Sequence, residues 1–187
     1  YLTSIIPDMK NKIILVGGAG YIGTVLTKHL LQKNYKVKCI DNLIYGQNEC
    51  IKSFLKNKNF DFINIDIRKK KNLEKHFDEN CCVILLAGLV GDPISKKYPK
   101  ENDEININGV INIIEICKTK NIERLIFTST CSNYGITDND TLANENHELN
   151  PLSLYASAKV QIEKYLIELK KSSNLKPTIL RFATAFG

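Results

Sequence analysis

No stretch of the 187 residues is apolar for long enough to cross a bilayer. The longest apolar runs, such as residues 81–86, fall far short of the roughly 20 residues a spanning helix needs, so no membrane role is expected. No CxxC pair occurs. The six cysteines stand at 39, 50, 81, 82, 117 and 131, several within apolar runs where a thiol behaves as a small hydrophobe. That argues against a metal site or a disulfide framework and for a reducing, cytoplasmic location. Residues 1–8 carry an apolar patch but neither a basic n-region nor a small-residue cleavage site, so no signal peptide is expected. A nucleic-acid-reading module is missing too, although the formal net charge is +6. Lysines are scattered through the chain, and the runs at 68–71 and 96–97 read as solvated faces, leaving only a mild attraction for phosphate-bearing ligands.

What is present is an ordinary globular composition, 43% hydrophobic and 25% charged, in a chain long enough for one domain with its own core. Met9 stands just before the first strand-like run, so residues 1–9 read as a leader or extension and 10–187 as the domain. Strand-like runs at 12–17, 36–41, 60–65, 82–87, 124–129 and 177–182 alternate with helical patterns. The helices are read at 21–33, around 49–56, at 71–78, 105–120 and 155–171, and residues 135–151 read as a loop. Such alternation predicts right-handed βαβ crossovers: a doubly wound α/β fold with a parallel sheet covered on both faces, in three α/β/α layers.

Gly17, Gly20 and Gly23 fall between the first strand and the first helix, with Tyr21 and Ile22 opening that helix. The spacing suits a tight turn, close backbone approach to a pyrophosphate and close helix–strand packing. The helix N-terminus then offers its amides and positive dipole end to the phosphates. Asp41 ends the second strand, where a carboxylate can accept from both hydroxyls of an adenosine ribose and repel a 2′-phosphate. Asn42 and Leu43 follow, with no arginine to receive that phosphate. These features predict a Rossmann-type domain that binds NAD rather than NADP. Asp66 and Ile67, after the third strand, can bind the adenine amino group and pack on the ring, or simply shape a turn.

Tyr155 and Lys159 open the last long helix, four residues apart and so on one face. An ammonium beside a phenol favours the phenolate and equips the pair for proton transfer, although an amphipathic helix with one snorkelling lysine would show the same spacing. Thr130, ending the fifth strand, can donate to the same substrate oxygen.

Taken with the runs 86–91, 106–109, 127–135 and 181–182, these motifs resemble the extended short-chain dehydrogenase/reductases, specifically the NAD-dependent epimerase/dehydratase family acting on nucleotide sugars. The resemblance covers residues 12–187. It implies Tyr155 as catalytic base, Lys159 as the residue that holds the nicotinamide ribose and tunes the tyrosine, and Thr130 as donor to the reacting oxygen. Ala87, Gly88 and Leu89 would line the cofactor after the fourth strand. Asn106 would steady that segment, with plain helix capping as the alternative. The implied chemistry is oxidation of a sugar carbon by NAD to a keto intermediate, then reduction from either face.

Sugar 4,6-dehydratases of this family carry an Asp–Glu pair directly after the threonine. Cys131 and Ser132 stand there instead, which disfavours dehydration and leaves epimerisation or simple oxidoreduction. The sequence ends just beyond the sixth strand, so a substrate-binding lobe is expected to be absent and the chain to be a cofactor-binding fragment. A non-catalytic NAD-binding module is the competing reading, but a sensor has no need of Thr130, Tyr155 and Lys159 together. Helices 105–120 and 155–171 imply a homodimer contact by the same resemblance, or ordinary packing on the sheet.

Overall fold

A computed structural model describes residues 11–137 and 142–185; the expected extension at 1–9 lies outside the described residues. Six strands form one parallel sheet: β1 (Lys12–Val16), β2 (Lys36–Asp41), β3 (Phe60–Asn64), β4 (Cys82–Leu85), β5 (Arg124–Thr130) and β6 (Lys176–Phe182). Their spatial order is 3-2-1-4-5-6, the order of a Rossmann fold.

Strand β1 shows why the sheet is covered twice. Its side chains alternate between faces, so Ile14 and Val16 join one buried cluster while Ile13 and Leu15 join the other. The larger cluster takes Val110, Ile113, Ile114 and Cys117 from α6 (Val110–Thr119) and Ile162, Leu166 and Leu169 from α7 (Leu154–Ser172). The smaller takes Leu30 and Leu31 from α1 (Tyr21–Gln32). Leu166 is fully buried, and trimming such a leucine to alanine costs about 2–5 kcal/mol in lost contact and cavity.

The remaining helices are short. Helix α2 (Asn48–Lys52) is briefer than its pattern suggested, and α3 (Lys70–Leu73) runs into a 3-10 turn at Glu74–His76. Two short helices, α4 (Asp92–Lys97) and α5 (Pro99–Asn102), occupy a segment with no helical pattern; each starts on a proline at its first or second position, where a missing N–H costs nothing. The helix read at 105–120 is not uniform. It enters as a π-helical turn at Asp103–Gly109 and becomes α-helical from Val110. Gly109 packs there against Ile67, so tightly that a Cβ would lie 2.7 Å from the isoleucine Cγ1.

Candidate active site

Strands β1 and β4 are neighbours whose onward connections run to opposite edges of the sheet, and crevices for ligands open beyond the strand ends at such a point. A cavity of about 560 Å³ lies there. Its floor is the glycine turn. Gly17 has φ +84°, and a Cβ on it would sit 2.4 Å from the Ala87 nitrogen. The close approach is fixed by β-type hydrogen bonds: Leu86 and Ala87 N–H donate to the Val16 carbonyl at 2.8 and 2.9 Å, and Gly17 N–H donates to Ile40 O at 2.7 Å. Gly23 brings α1 down on the turn, where a Cβ would lie 2.6 Å from Gly18 Cα. As N-cap of α1, Gly20 places no side chain between the helix's positive end and the cavity.

At one end stands Asp41. Its carboxylate accepts from Ala19 N–H at 3.0 Å and from Leu43 N–H at 2.8 Å, so one oxygen holds the glycine turn and the other holds the bend after β2. Each oxygen keeps a lone pair for a further donor. Asn42 donates to Asp66 at 3.0 Å. The Arg68 guanidinium grips the same carboxylate at 2.6 Å and holds it down at about 2, well below the usual carboxylate range. Ile67 is buried beside it.

At the other end are Thr130, Tyr155 and Lys159. Thr130 Oγ1 accepts from Ser132 N–H at 3.1 Å, which fixes its rotamer and leaves the hydroxyl proton to donate. The Ser153 hydroxyl caps α7 by accepting from Ala156 N–H at 3.1 Å, and so sets the first turn that carries Tyr155. Lys159 is 3% exposed. Its Nζ donates to Thr128 O at 2.8 Å and lies 5.7 Å from the centre of the Tyr155 ring. Burial pushes its pKa down to about 8 against the raising effect of Glu163. The expected pull of this ammonium on the phenol is not realised as the side chains stand. Burial raises the Tyr155 pKa, and the Asp92 carboxylate raises it further.

Gly17, Gly20, Tyr21, Ile22, Gly23, Asp41, Asn42, Asp66, Ile67, Ala87, Gly88, Leu89, Thr130, Tyr155 and Lys159 all line this cavity. Asn106 alone of the expected residues does not. It lies behind the wall, 1% exposed, accepting from Leu89 N–H at 2.7 Å and donating to Leu89 O at 2.9 Å and Asn102 Oδ1 at 2.8 Å. It caps no helix; it pins the segment after β4 through both backbone groups of one residue.

Residues 13–187 match the model of the NAD dependent epimerase/dehydratase family. The chain belongs to that family. A putative UDP-glucose 4-epimerase of Methanocaldococcus jannaschii is 32% identical over 94% of this chain and 56% of its own length. The NAD complex of UDP-glucose 4-epimerase from Thermus thermophilus superposes with a TM-score of 0.83 at 30% identity, over 91% of this chain and 54% of that one. UDP-glucuronic acid 4-epimerase from Bacillus cereus, in complex with UDP-glucuronic acid and NAD, gives 0.84 at 30% identity over 94% and 57%. The chain thus spans about half the length of the epimerase/dehydratase relatives it matches.

Sequence reasoning missed two parts of the site. The Asp92 carboxylate accepts from the Ser153 hydroxyl at 2.6 Å, tying the start of α4 to the start of α7; nothing local to residue 92 signals this. Glu163 is 1% exposed and holds Ser129 and Arg181. Here a signal existed, since residues 155, 159 and 163 continue one helical face.

Proposed function

We propose that this chain binds NAD and forms the cofactor half and proton-transfer centre of a nucleotide-sugar 4-epimerase. The observation that carries the reading is one unbroken cavity running from the Asp41 carboxylate to the Thr130–Tyr155–Lys159 cluster. The residues fit the dinucleotide. The glycine floor admits phosphates where a Cβ would meet backbone, and the carboxylate at the far end is already oriented by two amides. Three converging polar groups opposite a dinucleotide cradle also favour an enzyme over a passive NAD-binding module.

When bound, NAD supplies a reversible hydride acceptor and a positively charged ring. Tyr155 takes the hydroxyl proton at the reacting sugar carbon, and Thr130 donates to the same oxygen. Lys159 holds the nicotinamide ribose. Burial and Asp92 raise the Tyr155 pKa as the side chains stand, so proton transfer near neutral pH requires the ammonium to close on the phenol when the site is filled. Oxidation gives a keto sugar, and reduction from its opposite face inverts the carbon. Cys131 and Ser132 supply no carboxylic acid for water loss, which favours epimerisation over dehydration.

The test is Tyr155→Phe in the full-length protein. Turnover of UDP-sugars falls by about 10²–10⁴-fold, while NADH affinity changes little. Undiminished turnover refutes the assignment. We also place a two-fold contact on the outer faces of α6 and α7, where the Tyr165 hydroxyl donates to Glu115 and Ile167 is half exposed. Sedimentation reads this directly, and a monomer at all concentrations rejects it. No helix among the described residues is long and apolar enough to cross a membrane. The cysteines are unpaired, which suits the reducing cytoplasm in which we place the activity.

A further inference from the structure

Several polar side chains buried where the sheet meets α7 have no part in the proton transfer above, yet they converge on one carboxylate. The Ser129 hydroxyl donates to Glu163 Oε1 at 2.5 Å, and Asn133 Nδ2 donates to the same oxygen at 2.8 Å. Arg181 donates to Oε2 through Nη2 at 2.7 Å and Nε at 3.1 Å. Asn133 Nδ2 also donates to Ser129 Oγ at 2.9 Å, closing the ring of contacts. Strand β5, the 3-10 turn at Cys131–Tyr134 and strand β6 therefore all meet α7 at this residue.

The placement matters because of what lies one turn earlier. Tyr155, Lys159 and Glu163 share a face of α7. Consecutive residues of β5 grip it in two rungs: Thr128 O accepts from Lys159 Nζ, and Ser129 Oγ donates to Glu163. Thr130, the next residue of the strand, is the proposed donor to substrate. The Ser129–Glu163 rung thus ties the strand that carries that donor to the helix that carries Tyr155.

We propose that Glu163 is a positioning residue, clamped by Ser129, Asn133 and Arg181, that registers α7 against the ends of β5 and β6 and holds the Lys159 ammonium in the cavity wall. The proposal rests on the reading of Lys159 as the residue that holds the cofactor ribose. The groups facing Lys159 from each element can be named. Strand β5 presents the Phe127 ring, 4.7 Å from Nζ, and the Thr128 carbonyl. The π-helical turn presents neutral Asn106, which like Nζ borders the space a Cβ on Gly88 would fill, α7 presents Tyr155 and Glu163, and β6 presents Arg181 through Glu163. Asp92, at the start of α4, acts on Tyr155 rather than on Lys159. The Thr128 carbonyl and the Phe127 ring are neutral partners, and Glu163 is the charge that opposes the burial of the ammonium. A merely structural clamp would fix geometry without tuning that proton.

The experiment is a ¹³C NMR titration of the lysine Cε resonances of the whole chain, with Lys159 assigned by its loss in Lys159→Met. In the wild type the midpoint lies near 8. Glu163→Gln keeps an acceptor for Ser129 but removes the charge, and its midpoint moves down by about one pH unit. Glu163→Asp keeps the charge and holds the midpoint near the wild-type position. Arg181→Gln leaves the carboxylate without its cationic partner and moves the midpoint up. Midpoints unchanged in both charge-removing variants overturn the proposal. If Glu163→Gln does not fold, the direction of the Arg181→Gln shift decides alone. NADH fluorescence titration of the wild type separates the two readings: a chain that binds no NADH refutes the cofactor reading, whereas the Lys159 midpoints judge Glu163 independently.

Discussion

Replacing Lys159 by methionine removes a charge whose burial the fold has to sustain, and the consequence for stability changes sign with pH. The Lys159 pKa falls from an ordinary 10.5 to about 8 in the folded chain. The difference, 10.5 less 8, is about 2.5 pH units, and at 1.36 kcal/mol per unit it amounts to a burial cost on the order of 3 kcal/mol. Below pH 8 both folded and unfolded chains carry the proton, and the folded state bears the full cost. Between about 8 and 10.5 the unfolded chain binds more protons than the folded one, so wild-type stability rises with pH. Above that window the cost has gone. Methionine never incurs it, but leaves the Thr128 carbonyl without its donor, a loss of about 1–3 kcal/mol. At neutral pH the variant is therefore more stable by about 0–2 kcal/mol, and near pH 10.5 it is less stable by about 1–3 kcal/mol. Urea unfolding of both proteins at the two pH values measures this directly, and every other titrating group cancels in the comparison. Parallel stability–pH curves would show that Lys159 is not buried as a cation, and the reasoning would fail.

Gly17→Ala forces a Cβ to within 2.4 Å of backbone at a positive φ, which costs at least ~2 kcal/mol in strain and displaced strands; a urea midpoint within error of wild type contradicts the described turn. Asn106→Ala strips both backbone groups of Leu89 and the Asn102 amide of their partner. At about 1 kcal/mol or more for each buried group left unpaired, the loss is roughly 3 kcal/mol, and hydrogen exchange at Leu89 accelerates. Unchanged exchange there would count against a pinning role.

The parts of the site that were legible in sequence are those built from neighbours along the chain. Gly17, Gly20 and Gly23 fit one turn, Asp41 ends the next strand, and Tyr155 and Lys159 lie one helical turn apart. Each carries its reason within a few residues. The strands were readable for the same cause, since the run Ile13–Val16 of β1 is apolar on both faces and feeds two cores, whereas their spatial order came only with the fold. What escaped was assembled across the fold. Glu163 meets Ser129 from 34 residues away and Arg181 from 18, and Ser153 reaches Asp92 across 61. No window along the sequence contains such pairs. Asn106 fell between the two cases: the resemblance named it, but only the fold shows why an asparagine is needed, with one amide that both accepts from and donates to a single residue. The π-helical turn was unreadable because so short a widening at the start of a longer helix leaves no pattern of its own in the sequence.

That turn, Asp103–Gly109, braces two stretches that line the cavity. Glu104 and Gly109 meet Arg68 and Ile67 after β3, and Asn106 meets Leu89 after β4. Seven residues thus act as one splint shared by two strand ends, and a change in the turn is felt at both.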